Sequence, residues 1–414
     1  MAGSRKKTMN IVFVSYTYWP PDFGGALIVT LEGLRDLVRR GHRAVVLTSG
    51  KPGFPAREHD GGLDVRRSPA ISRKRRGRIL RRLLYFFWAA GCLIRADYDV
   101  VHLSAMPGIN RASNSLAAWI MARIARMKGA RVVFVHTLAD TEQKALEMNG
   151  LGGVLLRRYL NAVTDIVAIS PALHAALAEE FPGKTHLIMR AVKDDIFRPL
   201  DKARRSEVRA ALGFSPEDVV FVFLGSVSHR KGFDVLGQAL SRLQADHPNW
   251  KLLVIGPHTP EENHNIVPAD ITAVKAPLEG NPHVRYMGRI NEWPRVAELV
   301  AAGDVFVFPS RREGIGQAPM QGMAAGLPVV IARLPGITDQ ASIEEETGYY
   351  VTPGSVDELA DAMAKLGANA ALRRQMGEKA RQRILEAFGW QAYLDRWEAL
   401  YAGQAAGKKW SATF

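Results

Sequence analysis

Two neighbouring cations, Arg230 and Lys231, stand in the stretch FLGSVSHRKGFDVL, just after one apolar run and just before a helical pattern. Fixed cations there can neutralise a diphosphate and stabilise the charge that builds on it as a leaving group, or they can be a solvated loop pair. A second chemistry-bearing stretch is PSRREGIGQAPMQGMAAGLP, from Pro309 to Pro328. Its Glu313, Gly314, Gly316 and Gly322 lie between a strand pattern and a helix pattern, which puts one carboxylate beside several backbone N–H groups. A carboxylate can accept two sugar hydroxyls, or it can serve a helix N-terminus. Gln321 follows within that helix. In the first half, Gly24 and Gly25 of PPDFGGA let a backbone approach an anion, or simply make a tight strand-to-helix turn. His136 closes the strand RVVFVH, as a catalytic or as a structural residue. Asp97-Tyr98-Asp99 looks like a metal-binding pair of aspartates, but it heads the strand DVVHL and reads as structural.

These residues need elements to position them. NIVFVS, RAVVLT, DVVHL, RVVFVH and DIVAIS read as buried strands, alternating with helical stretches such as NSLAAWIMARIARM. That rhythm predicts a parallel, doubly wound sheet. It restarts after the polar stretch KDDIFRPLDKARR, with VVFVFL, KLLVIG, VRYMG, DVFVFPS and PVVIA. The expectation is therefore two Rossmann-like domains, residues 9–197 and 198–384, and a C-terminal helical segment, 385–414, packing back on the first. Ligands of open parallel sheets sit beyond the carboxyl ends of the strands, so the site is expected in post-strand loops of both halves, across a cleft.

A chain of 414 residues suits two such domains. The single cysteine, Cys92, excludes an internal disulfide framework and fits a reducing cytoplasm. The apolar stretch from Ile11 to Val14 is too short for a signal-peptide core, and residues before Met9 read as a disordered extension. Of the net charge of +14, residues 1–200 supply 31 Lys and Arg against 16 Asp and Glu, whereas residues 201–414 are almost balanced, 24 against 25. No helix-turn-helix, zinc-finger or RNA-binding signature accompanies this charge, so nucleic acid is not the expected partner. The cations concentrate between Arg66 and Arg82, among them Arg73, Lys74, Arg75, Arg76, Arg78, Arg81 and Arg82, with no acid between. LLYFFWAAGCLI follows, from Leu83 to Ile94. Twelve apolar residues cannot span a bilayer, which needs about 20. They can lie in an anionic membrane interface beside the polybasic run, or form an ordinary buried helix behind a solvated basic loop.

Taken together, PPDFGGA, FVH, AISPAL, GSVSHRKGFDVL, VRYMGRI, DVFVFPSRREGIG, GMAAGLPVV, GYYVTPGSVDELA and FGWQAYLDRWEALY resemble, in order and spacing, the retaining glycosyltransferases of family four, of the GT-B fold. The resemblance implies that Gly24 and Gly25 approach a donor diphosphate and that His136 hydrogen-bonds the transferred sugar. It implies that Arg230 and Lys231 bind the diphosphate, that Glu313 and the amides of Gly314, Ile315 and Gly316 hold sugar hydroxyls, and that position 321 holds the ribose. It further implies same-face attack through an oxocarbenium-like state, a phosphate oxygen taking the acceptor proton, with no metal and no cofactor beyond the co-substrate.

The chain departs from the family pattern in three places. Where the pattern has two glutamates with seven residues between them, this chain has Glu313 and Gln321. A charged hydrogen bond contributes roughly 1.5–3 kcal/mol against about 1 for a neutral one, which predicts nucleotide binding weaker by about tenfold. Met189, Arg190, Ala191, Val192 and Lys193 replace a Pro-Asn-Gly-Val-Asp-like segment, and place two cations where an acceptor phosphate could be met. Leu334 to Asp339, LPGITD, only partly matches a glycine-rich, glutamate-containing loop. The function expected is transfer from a nucleoside-diphosphate sugar to a lipid-linked or glycolipid acceptor, at the inner face of the cytoplasmic membrane. The alternatives are a GT-B-like sugar-nucleotide epimerase, a non-catalytic sugar-nucleotide-binding subunit and a nucleic-acid binder.

Overall fold

The computed structural model describes residues 8–18, 25–70, 77–104, 112–136, 150–259, 261–262, 268–313 and 316–404. They form two compact units. One comprises Met1–Met189 with Gln391–Phe414, the other Arg190–Trp390, so the division falls ahead of the expected residue 198.

In the first unit the chain runs β1 (Asn10–Val14), α1 (Gly25–Arg39), β2 (Arg43–Thr48), β3 (Arg57–Asp60), β4 (Leu63–Arg67), α2 (Gly77–Arg95), β5 (Val100–Ser104), α3 (Ala112–Met127), β6 (Arg131–His136), α4 (Leu151–Ala162), β7 (Asp165–Ala168), α5 (Pro171–Glu180) and β8 (Thr185–Leu187). The sheet order is β3-β4-β2-β1-β5-β6-β7-β8. Its inner strands are continuous apolar runs, with Phe13, Val101 and Phe134 fully buried, as strands covered on both faces must be. The sheet is not wholly parallel: β3 pairs antiparallel with β4. Gly61 and Gly62 both adopt positive φ, 57° and 89°, which closes a two-residue hairpin and turns the polar strand β3 back as the sheet edge.

The second unit contains α6 (Lys202–Ala211), β9 (Val219–Leu224), α7 (Phe233–Gln244), β10 (Trp250–Ile255), α8 (Pro268–Lys275), β11 (Val284–Tyr286), α9 (Trp293–Ala301), β12 (Val305–Phe308), α10 (Gln317–Ala324), β13 (Val329–Ala332), β14 (Gly348–Val351), α11 (Val356–Ala368) and α12 (Ala370–Ala387). Its strand order is β11-β10-β9-β12-β13-β14, every pair parallel. The order reverses between β9 and β12, so the loops after these two strands leave the sheet side by side.

The last described helix, α13 (Trp390–Tyr401), lies almost wholly in the first unit. Arg40 bonds Glu398 at 2.5 Å and Asp395 at 2.7 Å. His42 accepts the Met9 amide at Nδ1, so its Nε2 carries the hydrogen and donates to Glu398 at 2.9 Å. His102, on β5, meets the Tyr401 hydroxyl at 2.6 Å and stacks on Trp397. Burial pushes His102 down to about 3, so it is neutral at ordinary pH.

Candidate active site

The reversal point of the second sheet brings Arg230, Lys231 and Glu313 together. After β9 the chain enters a short 3-10 turn, His229–Lys231, which Gly232 terminates in the left-handed region at φ 69°. A Cβ on Gly232 would lie 1.9 Å from the Pro309 carbonyl oxygen, so only glycine lets the post-β9 turn seat against the post-β12 loop. The Arg311 amide then bonds the Arg230 carbonyl at 2.9 Å. The Arg311 guanidinium grips Asp234, at the start of α7, through two bonds of 2.7 Å, and also reaches the His229 carbonyl. Burial opposes ionisation of Asp234, but these guanidinium bonds outweigh it and hold the carboxyl below its usual range.

One carboxylate oxygen of Glu313 receives three donors: Lys231 Nζ at 2.6 Å, Ser310 Oγ at 2.7 Å and Arg230 Nη1 at 3.2 Å. The Lys231 side chain is 13% exposed and that of Glu313 11%, whereas Arg230 is 45% exposed. The three groups therefore differ in access, a nearly sealed ion pair beside an outward-facing guanidinium. Lys231 Nζ also lies 4.7 Å from the centre of the Phe308 ring. Burial pushes this ammonium below the usual lysine range and the Arg230 charge adds to that, while Glu313 opposes both.

Gly316 takes φ 67° as the N-cap of α10. Gln321 is buried on that helix, and its side chain makes no hydrogen bond to Arg230, Lys231 or Glu313 among the described residues. Gly322 lets α10 press on β12, for a Cβ there would meet the Phe306 ring at 2.5 Å. Gly314 and Ile315 lie outside the described residues. So do Gly24, Arg73, Lys74, Arg75 and Arg76, and the side chains of Arg78 and His136. Gly25 opens α1, and His136 ends β6 opposite Ala168. Asp99 accepts the Asn10 amide at 2.8 Å, a structural bond. Arg190 and Lys193 are each only 5% exposed, and Lys193 lies over the Trp390 ring.

Ser310, Arg311 and Asp234 are absent from the sequence-derived site. Ser310 immediately follows the β12 run, where post-strand residues meet ligands. Arg311 and Asp234 carried no signal, because their pairing depends on which strands are neighbours.

Two α/β units whose sheets are parallel but for β3, the second carrying paired cations and a carboxylate at its reversal point, suit a group-transfer enzyme with an anionic donor. The family described as Glycosyltransferase Family 4 matches residues 23–195, and that described as Glycosyl transferases group 1 matches residues 204–383. The chain belongs to glycosyltransferase family 4, and its fold is GT-B. The D-inositol 3-phosphate glycosyltransferase 1 of Catenulispora acidiphila is 27% identical over 412 residues, 93% of this chain and 92% of the relative. A sucrose-phosphate synthase from Thermosynechococcus elongatus superposes with a TM-score of 0.76 at 20% identity, over 95% of this chain and 98% of its own. Anabaena HepE, solved with UDP and glucose, superposes at 0.73 and 18% identity, over 95% and 100%.

Proposed function

We propose that this glycosyltransferase moves a sugar, with retention of anomeric configuration, from a nucleoside-diphosphate sugar to a lipid-linked or glycolipid acceptor at the cytoplasmic face of a membrane. The observation that carries the donor half is the convergence of Lys231 and Arg230 on Glu313 at the reversal point of the second sheet. The cations take the diphosphate and stabilise its leaving charge, the role a metal ion plays elsewhere, and Glu313 takes sugar hydroxyls. Same-face attack lets a departing phosphate oxygen accept the acceptor hydroxyl's proton, so no second carboxylate opposite the first is required. In this reading the first unit binds the acceptor, and no cofactor is needed beyond the co-substrate.

The membrane half is supported by helix composition. α2, α3 and α4 contain no Asp or Glu. α2 buries Tyr85, Ala89 and Leu93 but leaves Leu83, Leu84, Phe87 and Ile94 exposed, Phe87 by 74%. The buried face is that of an ordinary core helix, and the exposed apolar face is what supports the interface reading. α3, in contact with α2 and α4, exposes Leu116, Ile120 and Met127, and α4 exposes Leu151 and Val154. Arg81 and Arg82 on α2, with Arg123 and Arg126 on α3, supply positive charge among these apolar groups. No described helix is long and apolar enough to cross a membrane. Such a face suits an anionic interface better than it suits a soluble epimerase.

The test is thermal-shift screening against UDP, GDP and ADP sugars, followed by transfer assays with the donor that stabilises the protein. Lys231→Ala is expected to lower kcat/KM about 100-fold or more, by removing one charge-stabilising group. Nucleotide binding with no turnover on any lipid-linked acceptor would instead identify a non-catalytic binding subunit.

A further inference from the structure

Glu313 and a donor diphosphate compete for the same two cations. The Glu313 Oε1 atom is the counter-ion of Lys231 and Arg230, at 2.6 and 3.2 Å, and Ser310 holds it there at 2.7 Å. These are the same cations that a donor diphosphate needs. Both Lys231 and Glu313 are nearly sealed from water, so the carboxylate cannot fall back on solvation when the phosphates arrive. Two anions would then share one pair of cations.

We infer that Glu313 is a specificity-determining residue that disfavours a free nucleoside diphosphate relative to the sugar-loaded donor. The inference rests on the donor reading given above. When a nucleotide sugar binds, the diphosphate takes the cations and the sugar hydroxyls donate to the carboxylate, so each anion has partners. When a bare nucleoside diphosphate binds, whether entering or left behind after transfer, the carboxylate loses its cations and gains no hydroxyls. The same residue that grips the donor sugar thus helps expel the spent nucleotide.

The inference is tested by calorimetric titration of wild-type protein and Glu313→Gln with UDP, GDP and ADP and with the matching nucleotide sugars. Glu313→Gln keeps the size and hydrogen-bonding reach but removes the charge. It is expected to bind the preferred nucleoside diphosphate about tenfold tighter than wild type, which is about 1.4 kcal/mol, while binding the nucleotide sugar no tighter. Glu313→Asp, which keeps the charge, is expected to show no such gain. Unchanged or weaker nucleoside-diphosphate binding by a folded Glu313→Gln overturns the inference and leaves the donor reading standing. If Glu313→Gln does not fold, Glu313→Ala serves, with the same expectation and the same overturning result. Failure of wild-type protein to bind any of the three diphosphates or their sugars overturns both.

Discussion

The Lys231 ammonium combines a nearly closed environment with a proposed role that requires its charge. Burial is the largest influence on it and lowers its pKa, Arg230 lowers it further, and the Glu313 carboxylate pulls the other way. In the proposed role the charged form binds phosphate, and a lowered pKa means that this form is lost sooner as pH rises. The alkaline limb of kcat/KM is therefore expected below the ordinary lysine value of about 10.4. Lys231→Arg should move that limb upward, because a guanidinium stays charged throughout. A limb that does not move on this substitution would assign the titration to another group. At this scale the sequence disclosed which residue types matter and little of how they are joined. Arg230, Lys231 and Glu313 stood out because cations and a carboxylate in loops after apolar runs can serve a phosphate and a sugar, and the structure brings the three together. Ser310 donating to Glu313 is not legible, although only three positions separate the two, since hydroxyls are common in loops; Arg311 gripping Asp234 is not legible, since the two lie 77 positions apart.

Elements fix the site through close backbone approaches. The turn holding Arg230 and Lys231 reaches the loop holding Glu313 only because Gly232 takes a left-handed conformation against the Pro309 carbonyl. Gly232→Ala is expected to lose about 1–2 kcal/mol for that backbone conformation alone, with a further penalty for the contact. Thermal unfolding should fall by several degrees and nucleotide binding should weaken with it. A variant of wild-type stability that still binds nucleotide would show that the turn can reseat. The strands β1, β2, β5, β6, β9, β10, β12 and β13 were readable as unbroken runs of β-branched and aromatic residues, the pattern of strands covered on both faces. β3 and β4 were missed, because REHD and LDVRR lack such runs, although Asp60-Gly61-Gly62 between them is a hairpin signal. β8 and β14 were missed because they are short edge strands with partly exposed residues.

For the molecule as a whole, charge and exposed apolar surface coincide on the acid-free helices of the first unit, while the second unit carries the cluster of Arg230, Lys231 and Glu313. Phe87→Asp combined with Ile94→Asp places two charges on already exposed positions, so the fold should survive. Cosedimentation with anionic vesicles at low salt is expected to drop by about tenfold, and wild-type binding should weaken as salt rises toward 0.5 M, where the Debye length is only a few ångströms. Equal sedimentation of wild type and variant would remove the membrane from the proposal. The outline of two parallel-sheet units was visible from the restart of strand-helix alternation near residue 198, whereas the position of the last helix was not fixed by any local pattern. That helix has a consequence for how the polypeptide comes into being. Arg40, His42 and His102 wait for Asp395, Glu398 and Tyr401, which leave the ribosome only after the entire second unit has been made. At about 5–20 residues per second, tens of seconds separate the two sets of partners. The unit begun first is therefore finished last, and a chain cut just after Trp390 keeps every residue of the second unit while the buried histidine of the first lacks its cover.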